Sequence, residues 1–385
     1  RKYAPKVYAT QNRAVTADDY ETLVPSKIYP DTESISVFGG EDLIPPQYGK
    51  VFISIKPKFG DFLPNLIKDN IKLKLKKYAV AGIVPEILDL KYLFIEISSR
   101  VYYNTNLAPS AADVSTTVSN NAAKYSDSTE LNKYGARFKY SKFLKIVDDS
   151  HESVTSNITV VKMRRDLRVV PNTIAEYQIG FGNQFYIKKT DGYNIKSSAF
   201  RIAGINENVY LGDIPNTDRS TGSLFFFTLP NVGSQNPSIV RTNVGKIDYV
   251  NGIITLNAIN IIAGMEKDGQ QTIEIEATPL SNDVVGLQDL YLQLDTSNST
   301  FEMVSDEIAS GLDPSASSYI VSSSYADGNL VRVGGPENVA ITQTTTDSSI
   351  TNTSFTGTTT TSGSTGASSG STGGGSTPSG SGSGY

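Results

Sequence analysis

The chain has no cysteine, no tryptophan and one histidine among its 385 residues. Without cysteine it has no disulfides, thiolate metal sites, thiol nucleophiles or iron–sulfur clusters. The lone His151 leaves one candidate for a catalytic imidazole and little scope for histidine-based metal sites. No run approaches the roughly 18 uninterrupted apolar residues of a membrane-spanning helix, so no membrane partner is expected. Arg1 is not followed by a charged-then-apolar leader, and no secretory signal is expected either. Charge is missing altogether from residues 351–385, where Ser, Thr and Gly number ten each. Such a composition has too little apolar surface to offset the entropy of ordering. Residues 346–385 are therefore expected to form a disordered Ser/Thr/Gly tail.

What is present is divided by sign. Residues 1–170 carry a net charge of +6 and residues 171–345 a net charge of −10. The excess of cations sits in residues 50–77, which hold eight Lys against Asp61 and Asp69. A basic patch on one half and an acidic other half suit head-to-tail contact between copies. Nucleic acid is not expected as a partner, because the patch is Lys only, without the Arg and exposed aromatics of a nucleic-acid surface.

Local patterns divide the chain at the same place. Thr16-Ala17-Asp18-Asp19 reads as a capping box, and Ala17, Tyr20, Leu23 and Val24 continue at helical spacing to about Lys27. Tyr29-Pro30 ends that helix. Strands are expected over Ser34–Phe38 and, half-buried, over Val51–Ile55. Between Asp61 and Tyr78, Leu63, Leu66, Ile67, Ile71 and Leu75 fit one helical face, with Lys68, Lys72 and Lys76 on the wet side. Ile71, Leu73 and Leu75 alone would fit a strand, but length favours a helix. A long strand follows, with Leu93, Ile95, Ile97, Val101 and Tyr103 on one face. Residues 110–123 and 126–150 read as mostly helical, and Val154–Val170 as strand. The N-terminal half, 1–170, is thus expected to be α+β, with helices on one mixed sheet.

Residues 171–345 read as mainly β. Asp191-Gly192, Asn251-Gly252, Asp268-Gly269 and Asp327-Gly328 carry hairpin-turn chemistry. Ile247–Leu256 forms a hairpin by itself, Leu224–Leu229 reads as a strand buried on both faces, and Ile273, Ile275 and Ala277 alternate with Glu274 and Glu276.

No constellation stands out as catalytic. His151 lies in Asp148-Asp149-Ser150-His151-Glu152, which reads as a solvated loop at a helix end. The paired carboxylates Asp18-Asp19, Glu41-Asp42 and Asp148-Asp149 read as caps and exposed turns. Phosphate-binding glycine loops, a Gly-x-Ser-x-Gly elbow and EF-hand loops are absent. Gly180-Phe181-Gly182 lacks the third glycine of a dinucleotide loop. No catalytic residue, cofactor, metal or small-molecule substrate is expected. The candidate partner-contact residues are Lys68, Lys72, Lys76 and Arg13, the last being either a contact or an anchor for the capped helix. Pro45-Pro46 and Tyr48-Gly49 form either a rigid corner that aims a strand or a plain turn.

Longer stretches carry a resemblance. Tyr8-Ala9-Thr10-Gln11-Asn12-Arg13-Ala14-Val15-Thr16, Tyr29-Pro30, Val37-Phe38-Gly39-Gly40-Glu41 and Pro45-Pro46-Gln47-Tyr48-Gly49-Lys50-Val51-Phe52-Ile53-Ser54-Ile55-Lys56-Pro57 resemble the baseplate J-like family of contractile phage tails, in particular its large T-even-type wedge subunits. Gly245-Lys246-Ile247-Asp248-Tyr249 with Gly252-Ile253-Ile254, and Pro279 to Leu294, resemble the C-terminal domain of those subunits. The resemblance is strong over 1–105, looser over 125–170 and patchy to 305. It implies the C-terminal part of a non-enzymatic structural protein of the virion tail baseplate, assembled in the host cytoplasm. Its partners would be itself, as a dimer or ring, and other baseplate wedge proteins. The Ser/Thr/Gly tail departs from the T-even pattern. Two other function classes remain. A carbohydrate-binding or adhesive tail protein would suit the acidic β-rich half, though tryptophan platforms are missing, and a glycosidase would need an Asp/Glu pair. Deleting residues 346–385 is expected to leave the melting temperature within about 2 °C of the parent in a thermal melt, because surface changes seldom exceed about 0.5 kcal/mol.

Overall fold

The computed structural model describes residues 4–43, 46–60, 62–108, 110–229, 237–267 and 269–306, together with four two-residue strand segments between 321 and 339. The tail, Asp327-Gly328, Asp268 and Pro45 lie outside the described residues.

The first part begins with α1 (Ala4–Ala9) and α2 (Ala17–Leu23). The Thr16/Asp19 capping box forms as the sequence predicts, with the Asp19 carboxylate also accepting from the Val15 and Thr16 amides. Those bonds outweigh desolvation and hold the Asp19 pKa below the ordinary carboxylate range. A π-helical turn, Val24–Ile28, follows and ends at Tyr29. Then come β1 (Thr32–Gly39), β2 (Lys50–Pro57), α3 (Asn65–Leu75) and β3 (Val84–Leu88). They form a three-stranded mixed sheet in the order β1-β2-β3, with β2 antiparallel to β1 and parallel to β3. Its small core joins Tyr20, Leu23, Val24, Val37, Ile53 and Ile71.

The expectation of one sheet in this half is corrected: there are two. Asp89 and Leu90 lead into β4 (Lys91–Tyr103), α4 (Ala111–Ser126), β5 (Arg137–Phe138), α5 (Tyr140–Asp148) and β6 (Val154–Arg168). The helix expected over 126–150 is only the nine residues of α5, preceded by turns around Gly135, whose φ is +65°.

The remaining strands are β7 (Thr173–Gly180), β8 (Lys196–Ser197), β9 (Arg201–Ile202), β10 (Tyr210–Pro215), β11 (Thr221–Thr228), β12 (Ser238–Asp248), β13 (Ile253–Ala263), β14 (Met265–Lys267), β15 (Gln270–Ala277), β16 (Val284–Val285), β17 (Leu290–Leu294) and β18 (Thr300–Ser305). One sheet runs β10-β11-β12-β13-β7, with β9 also on β13. The other runs β14-β15-β6-β4-β17, with β18 also along β4 and β8 on β15. The second sheet therefore takes strands from both sides of residue 170. Strands β17 and β18 lie end to end and parallel to β4, pairing 290–294 with 91–95 and 300–305 with 98–103. One continuous core joins both sheets and the inner faces of α4 and α5. Leu93, Ile95, Ile97, Val101 and Tyr103 share its apolar face as expected, and Leu224–Phe227 is buried on both faces. The 247–256 hairpin forms, but Asp248 pairs with Ile253, so its loop has four residues. Only Gly252 takes a positive φ, and a side chain there would strike the Asn183 carbonyl at 2.1 Å.

The opposite face of the large sheet carries charge where polar residues facing water would be the simple reading of the alternation. Glu274 and Glu276 are buried, and β8 pairs alongside β15 at Ile275 and Glu276. Arg164, 1 % exposed, lies among four carboxylates. Its Nε donates to Glu96 at 2.5 Å, its Nη1 to Asp166 and to Glu274 (3.3 Å), and its Nη2 to Asp295 at 2.7 Å. The Phe94 ring lies 4.2 Å from the guanidinium carbon. Lys267 adds a second cation, 2.7 Å from Asp166, and Lys162 pairs with Glu276 at 3.1 Å. The acidic neighbours outweigh burial and raise the Arg164 pKa. Bonds from Asn298, together with Arg164, hold Asp295 below the ordinary carboxylate range. Removing one member of a buried charge cluster leaves the others uncompensated, which typically costs about 3–5 kcal/mol. Arg164→Ala should thus lower the urea midpoint by a loss of that size, while Arg100→Ala, at the solvated Arg100–Glu302 pair, should cost no more than about 1 kcal/mol.

Candidate interaction surface

The candidate contact residues lie in the first part of the fold, and the structure separates them. Helix α3 starts after Pro64, which lacks an N–H to lose, and it buries Ile71 and Leu75 against the three-stranded sheet. Lys68 and Lys72 lie beside that buried stripe rather than opposite it. Their ammonium groups pair with Asp89, just past β3, and with Glu86 of β3, the latter at 3.8 Å. Lys74 donates to the Ile28 carbonyl at 3.2 Å. Lys76 lies beyond the last turn and is exposed. The wet side expected for all three lysines holds for Lys76 alone, because β3 packs along α3 and brings its carboxylates to the other two.

Leu66 also departs from expectation. It was grouped with the buried face, yet it is 75 % exposed, and Leu73 is 61 % exposed. Arg13 is exposed in the loop between α1 and α2, where its guanidinium donates to Gln11 at 3.1 Å. The structure does not bring it together with the α3 lysines through any ion pair or hydrogen bond among the described residues.

A second feature was not legible in the sequence. Strand β2 was expected to be half-buried, but Phe52, Ser54 and Lys56 are buried as well as Ile53 and Ile55. The outer face of β2 is covered by the second part of the fold. Ser54 and Tyr134 share a hydroxyl hydrogen bond of 2.7 Å, and Lys56 donates to the Tyr92 hydroxyl at 3.1 Å. Ser34 accepts from the Tyr134 amide, and Glu33 from Asn132 at 2.8 Å. Burial raises the Tyr134 hydroxyl well above the ordinary tyrosine range. The Gly40 position holds the adjoining loop closed: its carbonyl accepts from the Gln47 amide at 2.7 Å, and a side chain there would lie 1.9 Å from the Gln47 carbonyl.

The other polar sites are quieter. The Ser153 amide donates to His151 Nδ1 at 3.1 Å, in a loop just after α5. Asp213, fully buried, accepts from Tyr249, from the Ile195 amide and from Asn194 at 2.6–3.0 Å. The six-stranded sheet has a shallow depression of roughly 690 Å³ on its open face, with Gln178, Lys246, Thr255 and Asn257 among its lining residues. No aromatic ring lines it, so it lacks the flat platform on which sugars stack. Among the described residues no helix is long and apolar enough to cross a membrane.

Comparison with known proteins follows the same seams. Residues 16–88, from the start of α2 to the end of β3, match the family model of baseplate structural protein gp6, C-terminal domain I. Residues 91–166, from β4 almost to the end of β6, match the model of C-terminal domain III of the same protein. The similarity is to a baseplate structural protein. Baseplate wedge protein gp6 of Enterobacteria phage T4 is 27 % identical over 310 residues, covering 73 % of this chain and 46 % of the T4 protein. The chain thus spans less than half the length of that relative. A solved structure titled as the anti-feeding prophage (AFP) baseplate is similar at 14 % identity and a TM-score of 0.32, over 42 % of this chain and 36 % of that one. That likeness is too slight to bear on the fold. The matched models name gp6 domains, and the baseplate J-like grouping continues to rest on the resemblance alone.

The β2 seam therefore joins the two matched domains, and the α3 lysines lie within the first. Lys68→Gln and Lys72→Gln should each lower stability by up to about 1 kcal/mol, as half-solvated ion pairs do, whereas Lys76→Gln should not change it. Urea melts of the three single variants check this, and equal effects at all three positions would contradict the separation seen here.

Proposed function

We propose that this chain is a non-enzymatic structural component of a contractile-tail baseplate wedge, located in the virion. The observation that carries the reading is the pair of adjacent gp6 domain matches, 16–88 and 91–166, which meet at the junction between the two parts of the fold. The T4 relative, named as a baseplate wedge protein, supports it over a longer stretch. The architecture suits such a role. A buried cluster of ionisable groups is paired internally around Arg164, and the two matched domains are joined by a hydrogen-bonded seam.

Within that reading the chain contacts other baseplate proteins and also itself, linking wedges into a ring. The motive for self-contact is the opposition between the +6 of residues 1–170 and the −10 of residues 171–345. Lys76 and Arg13 remain the candidate contacts most accessible to a partner, since Lys68 and Lys72 are engaged within the chain. Contacts of this polar kind weaken as salt shortens the screening length to about 3 Å at 1 M.

The test is electron microscopy of virions in which this protein carries a site-specific gold label. Label in the baseplate ring is the expected result. Label at fibre tips, with glycan binding by the isolated virion protein, would replace this reading with the adhesive one. Sedimentation of the protein at low and high salt should show association that falls as salt rises.

A further inference from the structure

The outward face of α3 is unlike the rest of the first domain. On a helix of 3.6 residues per turn, Ile71 and Leu75 set the buried direction, with Ile67, Lys68 and Lys72 flanking it. Diametrically opposite lie Leu66 and Leu73, with Asp69 and Asn70 between and beside them. Leu66 is 75 % and Leu73 61 % exposed, and Phe62, four residues before Leu66, is also exposed. Single exposed leucines are ordinary. Two that stand seven residues apart at the centre of a solvent-facing stripe repeat as a helix-packing seam does, about 10.5 Å along the axis.

The charge around this seam is unspent. Lys68 and Lys72, on the inner flank, are taken up by Asp89 and Glu86. Lys76 and Lys77, just past the last turn, are exposed, and among the described residues neither has a carboxylate within ion-pair distance. An apolar seam closed by free cations complements an apolar seam flanked by anions.

We infer that the outer face of α3 is a docking site for an acidic amphipathic helix of another protein. The partner would lay an apolar stripe along Leu66 and Leu73 and set carboxylates against Lys76 and Lys77. Opposite Asp69 it would carry a neutral or basic residue. This deepens the baseplate reading by giving one partner surface its chemistry, and it is tested separately from it: the gold label reports location, whereas the experiment below reports the helix face.

The probe is a synthetic three-heptad peptide with Leu at a and d and Glu at e and g, measured against the full chain by fluorescence anisotropy. Its counterpart has Lys at e and g; in both, like charges oppose self-pairing. The Glu peptide should bind, with affinity falling as salt rises, and the Lys peptide should bind at least tenfold more weakly. Leu66→Gln combined with Leu73→Gln should lose at least tenfold in affinity with an unchanged melting temperature, since both positions are solvent-exposed. Lys76→Glu combined with Lys77→Glu should reverse the preference between the peptides. Equal binding of the two peptides, or binding that survives the leucine pair, would overturn the inference. So would self-association of the chain that the leucine pair abolishes, because the occupant would then be a second copy.

Discussion

A buried guanidinium holds the larger part of this protein in register. Arg164 on β6 reaches Glu96 on β4, Glu274 on β15 and Asp295 just beyond β17, and so ties together strands far apart in sequence. A cluster of this kind is costly to assemble, because each ion gives up its hydration. It persists here because every carboxylate around Arg164 has a cation within ion-pair distance, with Lys267 shared between Asp166 and Glu274. The geometry admits few alternatives. A strand that slipped by one residue would turn its charge into the apolar core on the other face.

The same accounting bears on function. Neighbouring carboxylates invite a catalytic reading, which needs one of them held protonated in an apolar pocket. Here the most deeply buried carboxylates of the large sheet face Arg164, Lys162 and Lys267, and Asp213 is saturated by donors. Polar chemistry has been used to fix positions. The seam along β2 works in the same way, with Ser54, Lys56, Tyr92 and Tyr134 exchanging hydrogen bonds between the two domains matched to gp6. Such directional links fix relative position, since apolar contact alone is indifferent to small rotations.

Much of the local structure was legible because its causes are local. The Thr16/Asp19 box, the helix stop at Tyr29, the alternating face of β4 and the doubly buried Leu224–Phe227 stretch each follow from a few neighbouring side chains. The candidate surface was legible in part. The helix and its buried Ile71 and Leu75 follow from spacing, but assigning Leu66 to the same stripe did not survive. Leu66 lies about 140° around the helix from Ile71, so an apolar count over the window counted two faces as one. The missed partners of Lys68 and Lys72 have a different cause. Glu86 and Asp89 reach them only through the parallel pairing of β3 with β2, which brings the end of the segment back along α3.

By itself the sequence determined most of the element types, the divided charge and, through the residues around the first two strands, the resemblance to contractile-tail baseplate proteins. Helix caps, alternation and turn glycines act over a few residues, and a chain read in order displays them. Only the tertiary structure decided which alternating strands have a second buried face, as for β2 and for β15 with its Glu274 and Glu276. It also decided that β17 and β18 share β4 as a parallel partner across about two hundred residues. Burial of a polar face depends on what is laid over it, and strand partners depend on the closure of long loops. Neither leaves a periodic trace in the residues concerned, so only the assembled fold could supply them.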